Sequence, residues 1–153
     1  MADLLESFRA VVAALDEARV PFAVCGGLAM SIHARPRATI DIDLLAPAEA
    51  IPTLAAALEP LGFARREREP SRLAGGAVIM HRLTRVLVGD PDVLVLDVIE
   101  VGSGASAQAW SGRETVRWEG RPMTVVSRRG LVALKRLRNS PQDRADIAAL
   151  EEQ

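Results

Sequence analysis

The chain has no tyrosine and only three phenylalanines and two tryptophans, so it lacks the aromatic platform on which single-stranded nucleic acid stacks. Its single cysteine, Cys25, excludes an intramolecular disulfide and fits a reducing cytosol. The two histidines, His33 and His81, have no metal-ligand spacing, and Cys25 has no catalytic partner near it in sequence; all three read as structural. Net charge is −1, so no overall basic field attracts nucleic acid, and any such contact must come from a local patch. No apolar run approaches the ~20 residues of a membrane span. The amphipathic first segment carries Asp3, Glu6, Asp16 and Glu17, which excludes a signal peptide. The expectation is a soluble, cytoplasmic domain of 153 residues, large enough to bury roughly two-thirds of its unfolded surface.

The patterning predicts alternating elements without repeats or linkers. Leu4, Leu5, Phe8, Val11, Val12 and Leu15 recur at helical spacing over about residues 3–19. Pro21 ends that helix, and Phe22–Cys25 reads as a short buried strand. A helix from Gly27 to His33 stops at the Arg35-Pro36 step. Residues 39–46 form a second strand, and the Ala- and Leu-rich stretch 48–58 a third helix. Residues 63–68 alternate weakly, and 71–76 read as a turn. Residues 78–88 and 93–101 are strands joined as a hairpin across Gly89-Asp90-Pro91-Asp92. Gly102–Gly112 reads as a mobile loop anchored by Trp110, and 115–118 with 123–126 as a second hairpin. Ser127 and Ser140 then cap two closing helices, the second with Pro141 in its first turn. The fold class is α+β, a single domain with a mixed β-sheet.

The chemistry concentrates in FAVCGGLAMSIHARPRATIDIDLL, residues 22–45. Residues two apart on a strand share a face, so Asp41 and Asp43 project side by side while Ile40, Ile42 and Leu44 turn into a core. Aspartate is disfavoured in strands, yet Asp97 recurs in the equally apolar VLVLDVIEV. Buried carboxylates without a partner are costly, so three of them in two core strands point to a divalent cation. Gly26-Gly27, at a strand-to-helix turn, would offer free N–H groups to phosphate. Arg37 and Thr39 alternate with Asp41 and share its face, within reach of the carboxylates or a substrate phosphate. Lys135 follows the stripe of Leu131 and Leu134 and would point the same way. Asp143 and Asp146 are read as capping and charging the last helix, and Ser31 as a helix-surface residue.

The combination of GG-L-A, R-x-T-x-D-I-D-L, an aspartate in a later apolar strand and a late helical lysine resembles the nucleotidyltransferase superfamily related to DNA polymerase beta. It is most similar to the small bacterial abortive-infection and toxin–antitoxin branch, over residues 20–150. The resemblance implies that Asp41, Asp43 and Asp97 bind two Mg²⁺ ions, with Mn²⁺ as a substitute. It implies too that Gly26, Gly27 and Lys135 hold the triphosphate of an NTP. An NMP would pass to a hydroxyl on RNA or tRNA, protein or a small molecule, with one ion on all three aspartates activating that hydroxyl. Many members carry serine after the first glycine, where this chain has Gly27. A cognate antitoxin or toxin chain is an implied partner, and the Gly102–Gly112 loop a candidate for acceptor choice. Two other readings compete. An aspartate-nucleophile phosphatase fails at Leu45, where a threonine is expected, and leaves the glycines unexplained. A non-catalytic binding module of the same fold stands as the alternative.

Overall fold

Leu4–Glu17 forms the first helix, α1, because Phe8, Val11, Val12 and Leu15 lie on one stripe and are buried together; Leu5, expected on that stripe, is exposed. The computed structural model describes residues 4–34, 40–86, 88–89 and 93–152. Five further helices follow: α2 (Gly26–His33), α3 (Ile51–Leu58), α4 (Ala105–Ser111), α5 (Arg128–Arg138) and α6 (Pro141–Glu151). The strands are β1 (Ala23–Cys25), β2 (Asp41–Pro47), β3 (Ala64–Arg65), β4 (Ser71–Leu73), β5 (Val78–Val86), β6 (Val93–Val101), β7 (Glu114–Trp118) and β8 (Arg121–Val125). All eight join one mixed sheet of order β3-β5-β6-β2-β1-β8-β7, with β4 paired onto β5.

Two parallel pairings set this topology. β2 runs parallel to β6 in a register that opposes Asp43 to Asp97, and β1 meets β8 at Val24 and Val125. The β7–β8 hairpin is therefore an extension of the main sheet. The β5–β6 hairpin forms as its alternating pattern requires, pairing Val86 with Val93 and Arg82 with Asp97.

The apolar runs of β2 and β6 are buried on both faces, the signature of central strands. Ile42, Leu44, Leu45 and Leu96 are fully enclosed. α1 lies on the face opposite the aspartates, where Ser7 accepts a 2.6 Å hydrogen bond from Arg85 of β5. α3 packs against α1 and contributes Leu54 and Leu58 to the core.

Three local expectations are corrected. Gly102–Gly112 is not a loop throughout: residues 105–111 are α4, packed on α5, with Ala109 fully buried. Its small residues are what allow that approach, since a Cβ on Gly130 of α5 would meet Ala109 Cα at 3.0 Å. Residues 71–73 of the expected turn form β4. Ile40, expected in the core, is 80% exposed, because β2 starts only at Asp41 and the residue before it lies outside the sheet.

The caps hold. Ser127 Oγ accepts from Gly130 N, and Ser140 with Asp143 forms a reciprocal capping box.

Candidate active site

The end of β1, the start of β2 and the middle of β6 meet where Gly26 begins α2. Cys25 opposes Asp43, and Asp43 opposes Asp97, so the glycine turn and two carboxylates lie on neighbouring strands. Asp41, two residues before Asp43, shares its face. These residues line a cavity of about 1070 Å³, with Gly27, Arg82, Lys135 and Arg138 also in its wall. That volume suits a nucleotide-sized ligand.

Gly26 has φ +64°, and a Cβ there would collide with the Asp43 carboxylate. The glycine therefore serves two ends: it adopts a left-handed conformation and lets a carboxylate press against the backbone. The N-cap residue Cys25 provides no side-chain cap, so among the described residues the first N–H groups of α2 are open to a ligand in the cavity. Ser31 Oγ donates back to Gly27 O at 3.2 Å and is occupied within the helix, as expected. Gly26→Ala should cost about 2 kcal/mol from the backbone conformation and the displaced carboxylate together. Urea denaturation checks this, and a midpoint equal to wild type would show that neither the backbone conformation nor the Asp43 contact carries that cost.

Burial and mutual repulsion disfavour the charged forms of the two β2 carboxylates. The Asp43 carboxylate makes no hydrogen bond or ion pair with the side chain of any described residue. Burial, then the charges of Asp97 and Asp41, push its pKa up to about 6. Burial and Asp97 raise Asp41 as well. The Cys25 thiol beneath them is fully buried and pushed well up by that burial and by Asp43, so it is an unreactive neighbour. The donors are hard carboxylate oxygens, which fit Mg²⁺ or Mn²⁺ in kind. Among the described residues, however, no three acidic, histidine or cysteine side chains are already gathered as a metal site. Asp97, only 5% exposed, is instead clasped by Arg82, Nε to Oδ1 at 2.8 Å and Nη2 to Oδ2 at 3.0 Å.

The remaining expected residues are placed as follows. Lys135 reaches the cavity, but its ammonium donates to Asp146 Oδ2 at 2.8 Å and lies 3.9 Å from Asp143 Oδ1. Asp143 is the first-turn carboxylate of the α6 capping box, as expected. Asp146 is not a first-turn charge on a solvated helix end: it is buried and accepts from Lys135 and Gln142. Arg37 and Thr39 lie outside the described residues. His33 and His81 are structural, bonded to Val126 O and to Glu100.

Two cations were missed. Arg138 lines the cavity, bidentate to Asp143 through Nε and Nη2 at 2.7 Å each, and that contact raises its pKa. Its signal was spacing, three residues after Lys135 on the same helix face. Arg82 was missed because its role depends on hairpin register.

The mixed sheet that carries this cavity is the nucleotidyltransferase fold. The chain belongs to the nucleotidyltransferase AbiEii toxin family of type IV toxin–antitoxin systems, whose model matches residues 9–148. No curated protein matches it. Among solved structures it is similar to ANT(2″)-Ia in complex with adenylyl-2″-tobramycin, at 20% identity, TM-score 0.63, 94% of this chain and 84% of that one. It is also similar to TM1012 of Thermotoga maritima, at 15% identity, TM-score 0.67, 97% and 93% coverage. The lincosamide antibiotic adenylyltransferase LnuA, lincomycin-bound, matches at 14% identity, TM-score 0.62, with 95% of each chain covered. These likenesses establish the nucleotidyltransferase fold.

Proposed function

We propose that this protein transfers an NMP from an NTP to a hydroxyl acceptor in a divalent-metal-dependent reaction, as the toxin of a toxin–antitoxin pair acting in the cytoplasm. The observation that carries the reading is the juxtaposition of Asp41, Asp43 and Asp97 with the uncapped start of α2 in one cavity, within a chain of this family. Asp41, Asp43 and Asp97 would hold the metal, which when bound supplies charge neutralisation of the triphosphate and a lowered pKa for the attacking hydroxyl. Gly26 and Gly27 present backbone N–H groups to phosphate oxygens. Arg138, held by Asp143, adds positive charge on the same wall. The carboxylates do not take part covalently; they fix where phosphate and hydroxyl oxygens converge.

Incubation of purified protein and cell lysate with each labelled NTP and Mg²⁺ tests this, because the labelled molecule is the acceptor itself. Labelling is expected to depend on added Mg²⁺. In Asp97→Asn it should fall by about a hundredfold or more, since each ~1.4 kcal/mol of lost transition-state stabilisation is a factor of ten, while NTP affinity falls only modestly. Absence of labelling with every NTP would defeat the catalytic reading. It would leave the binding-module alternative, which the Arg82 clasp on Asp97 favours.

A further inference from the structure

The geometry points to Arg82 as a latch on the third carboxylate. It withholds Asp97 from metal until a phosphate group draws the guanidinium away. The inference rests on the metal-dependent reading above.

Both oxygens of Asp97 are taken by the two-pronged contact from Arg82, and both residues sit on the cavity wall. The two partners are unequally placed. The Asp97 side chain is 7% exposed, whereas that of Arg82 is 44% exposed. A carboxylate so enclosed needs a compensating cation at all times. A half-exposed arginine at a cavity rim can swing into the opening without losing hydration. The pair can therefore exchange partners: Arg82 leaves for an anion while a divalent ion takes its place on Asp97. Guanidinium suits both states, since its planar fork matches carboxylate and phosphate equally.

The consequence is ordered assembly. Asp43 faces the cavity beside Asp41 on β2, and neither carboxylate is in the Arg82–Asp97 contact, so a first ion placed there does not require the latch to open. A second ion needs Asp97, and so needs Arg82 to have found a phosphate. Strand order gives Arg82 a side. It stands on β5, three strands from the glycine turn on β1, roughly 14 Å at the usual strand spacing. A phosphate on the acceptor side of the carboxylates is nearer to it than one seated on α2, and both are tested as sources.

The experiment counts Mn²⁺ bound per chain by electron paramagnetic resonance and looks for the spin-coupled signal of a carboxylate-bridged pair. Wild type with Mn²⁺ alone should bind one ion and show no coupling. Arg82→Gln with Mn²⁺ alone should bind a second, with coupling. Arg82→Lys, which cannot make the two-pronged contact, should bind the second ion at least tenfold more tightly than wild type, and it carries the test if thermal melting shows that Arg82→Gln does not fold. In wild type the second ion should appear on adding a non-hydrolysable NTP analogue if the nucleotide opens the latch, or inorganic phosphate if the acceptor side does. Equal stoichiometry and affinity in wild type and both variants would overturn the latch, as would a coupled pair in wild type with Mn²⁺ alone. A second ion in Arg82→Gln that neither phosphate source elicits in wild type would overturn the phosphate coupling. If no protein binds Mn²⁺ even with the analogue, the metal-dependent reading itself falls, and the latch with it.

Discussion

Lys135→Met should destabilise the fold by about 3–5 kcal/mol, the range for removing one partner of a buried ion pair. Lys135 is 4% exposed, and the two carboxylates around it, Asp143 and Asp146, are 0% and 3% exposed. Methionine fills the space but leaves that density of negative charge between α5 and α6 without its nearest buried cation. Arg138 and the Ser140 hydrogen bonds hold Asp143 well below the usual carboxylate range against the opposing pull of its burial, so this aspartate stays charged at any working pH. A double variant, Lys135→Met with Asp146→Leu, should recover most of the loss, because a well-packed apolar pair replaces an ionic one at little net cost. Urea denaturation of the three proteins measures this. A single variant within about 1 kcal/mol of wild type would mean that water reaches the network. The double variant also separates the two roles open to Lys135. Restored stability with NTP affinity equal to wild type makes the lysine a tie between helices, whereas restored stability with lost affinity makes it a phosphate ligand as well.

How far the site could be read from the chain follows from the range of the interactions involved. Asp41, Asp43 and the glycine turn lie within one 24-residue segment, and strand periodicity alone puts the carboxylates on one face. Asp97 could be added because a charge in VLVLDVIEV conflicts with its surroundings wherever that strand pairs. Arg82 could not. Closing the hairpin symmetrically about the 90–91 step would oppose Asp97 to Thr84. The observed register, Val86 with Val93, puts Arg82 there, and a shift of two residues along one strand keeps the same face. The hydrophobic pattern does not distinguish the two. The joining of β8 to β1 was hidden for a related reason, as it depends on a single parallel contact across a hundred residues. α4 was hidden by composition: GSGASAQAWSG has little apolar periodicity, and its helix forms because small residues fit against Gly130. Asp146 reads as a surface charge until α5 supplies the lysine that buries it.

Asp43→Asn should make the metal-free protein more stable at neutral pH while lowering nucleotidyl transfer by at least about a thousandfold, roughly 4 kcal/mol of transition-state stabilisation. The opposite signs come from one cause. Asp43 is pushed up to about 6 in the folded chain, against 3.8 as its ordinary value, chiefly by burial and then by Asp97 and Asp41. Between those two values the native state binds more protons than the unfolded one, so metal-free stability falls as pH rises through that window and stays low above it. A rise of about two pH units, at about 1.4 kcal/mol each, amounts to about 3 kcal/mol of native-state penalty at pH 7.5. Asparagine keeps the shape, carries no charge and relieves the penalty. Near pH 3.5 the carboxyl is already protonated, and the two proteins should melt alike. In chelator at pH 7.5 the variant should be the more stable. Added Mg²⁺ should then raise wild type towards the variant through binding to the native state and leave the variant nearly unmoved. Urea denaturation at both pH values, with and without Mg²⁺, is the measurement. An Asp43→Asn protein less stable than wild type in chelator at pH 7.5 would show that the carboxylate already has a cationic partner, and that the close approach to Gly26 serves structure rather than a metal.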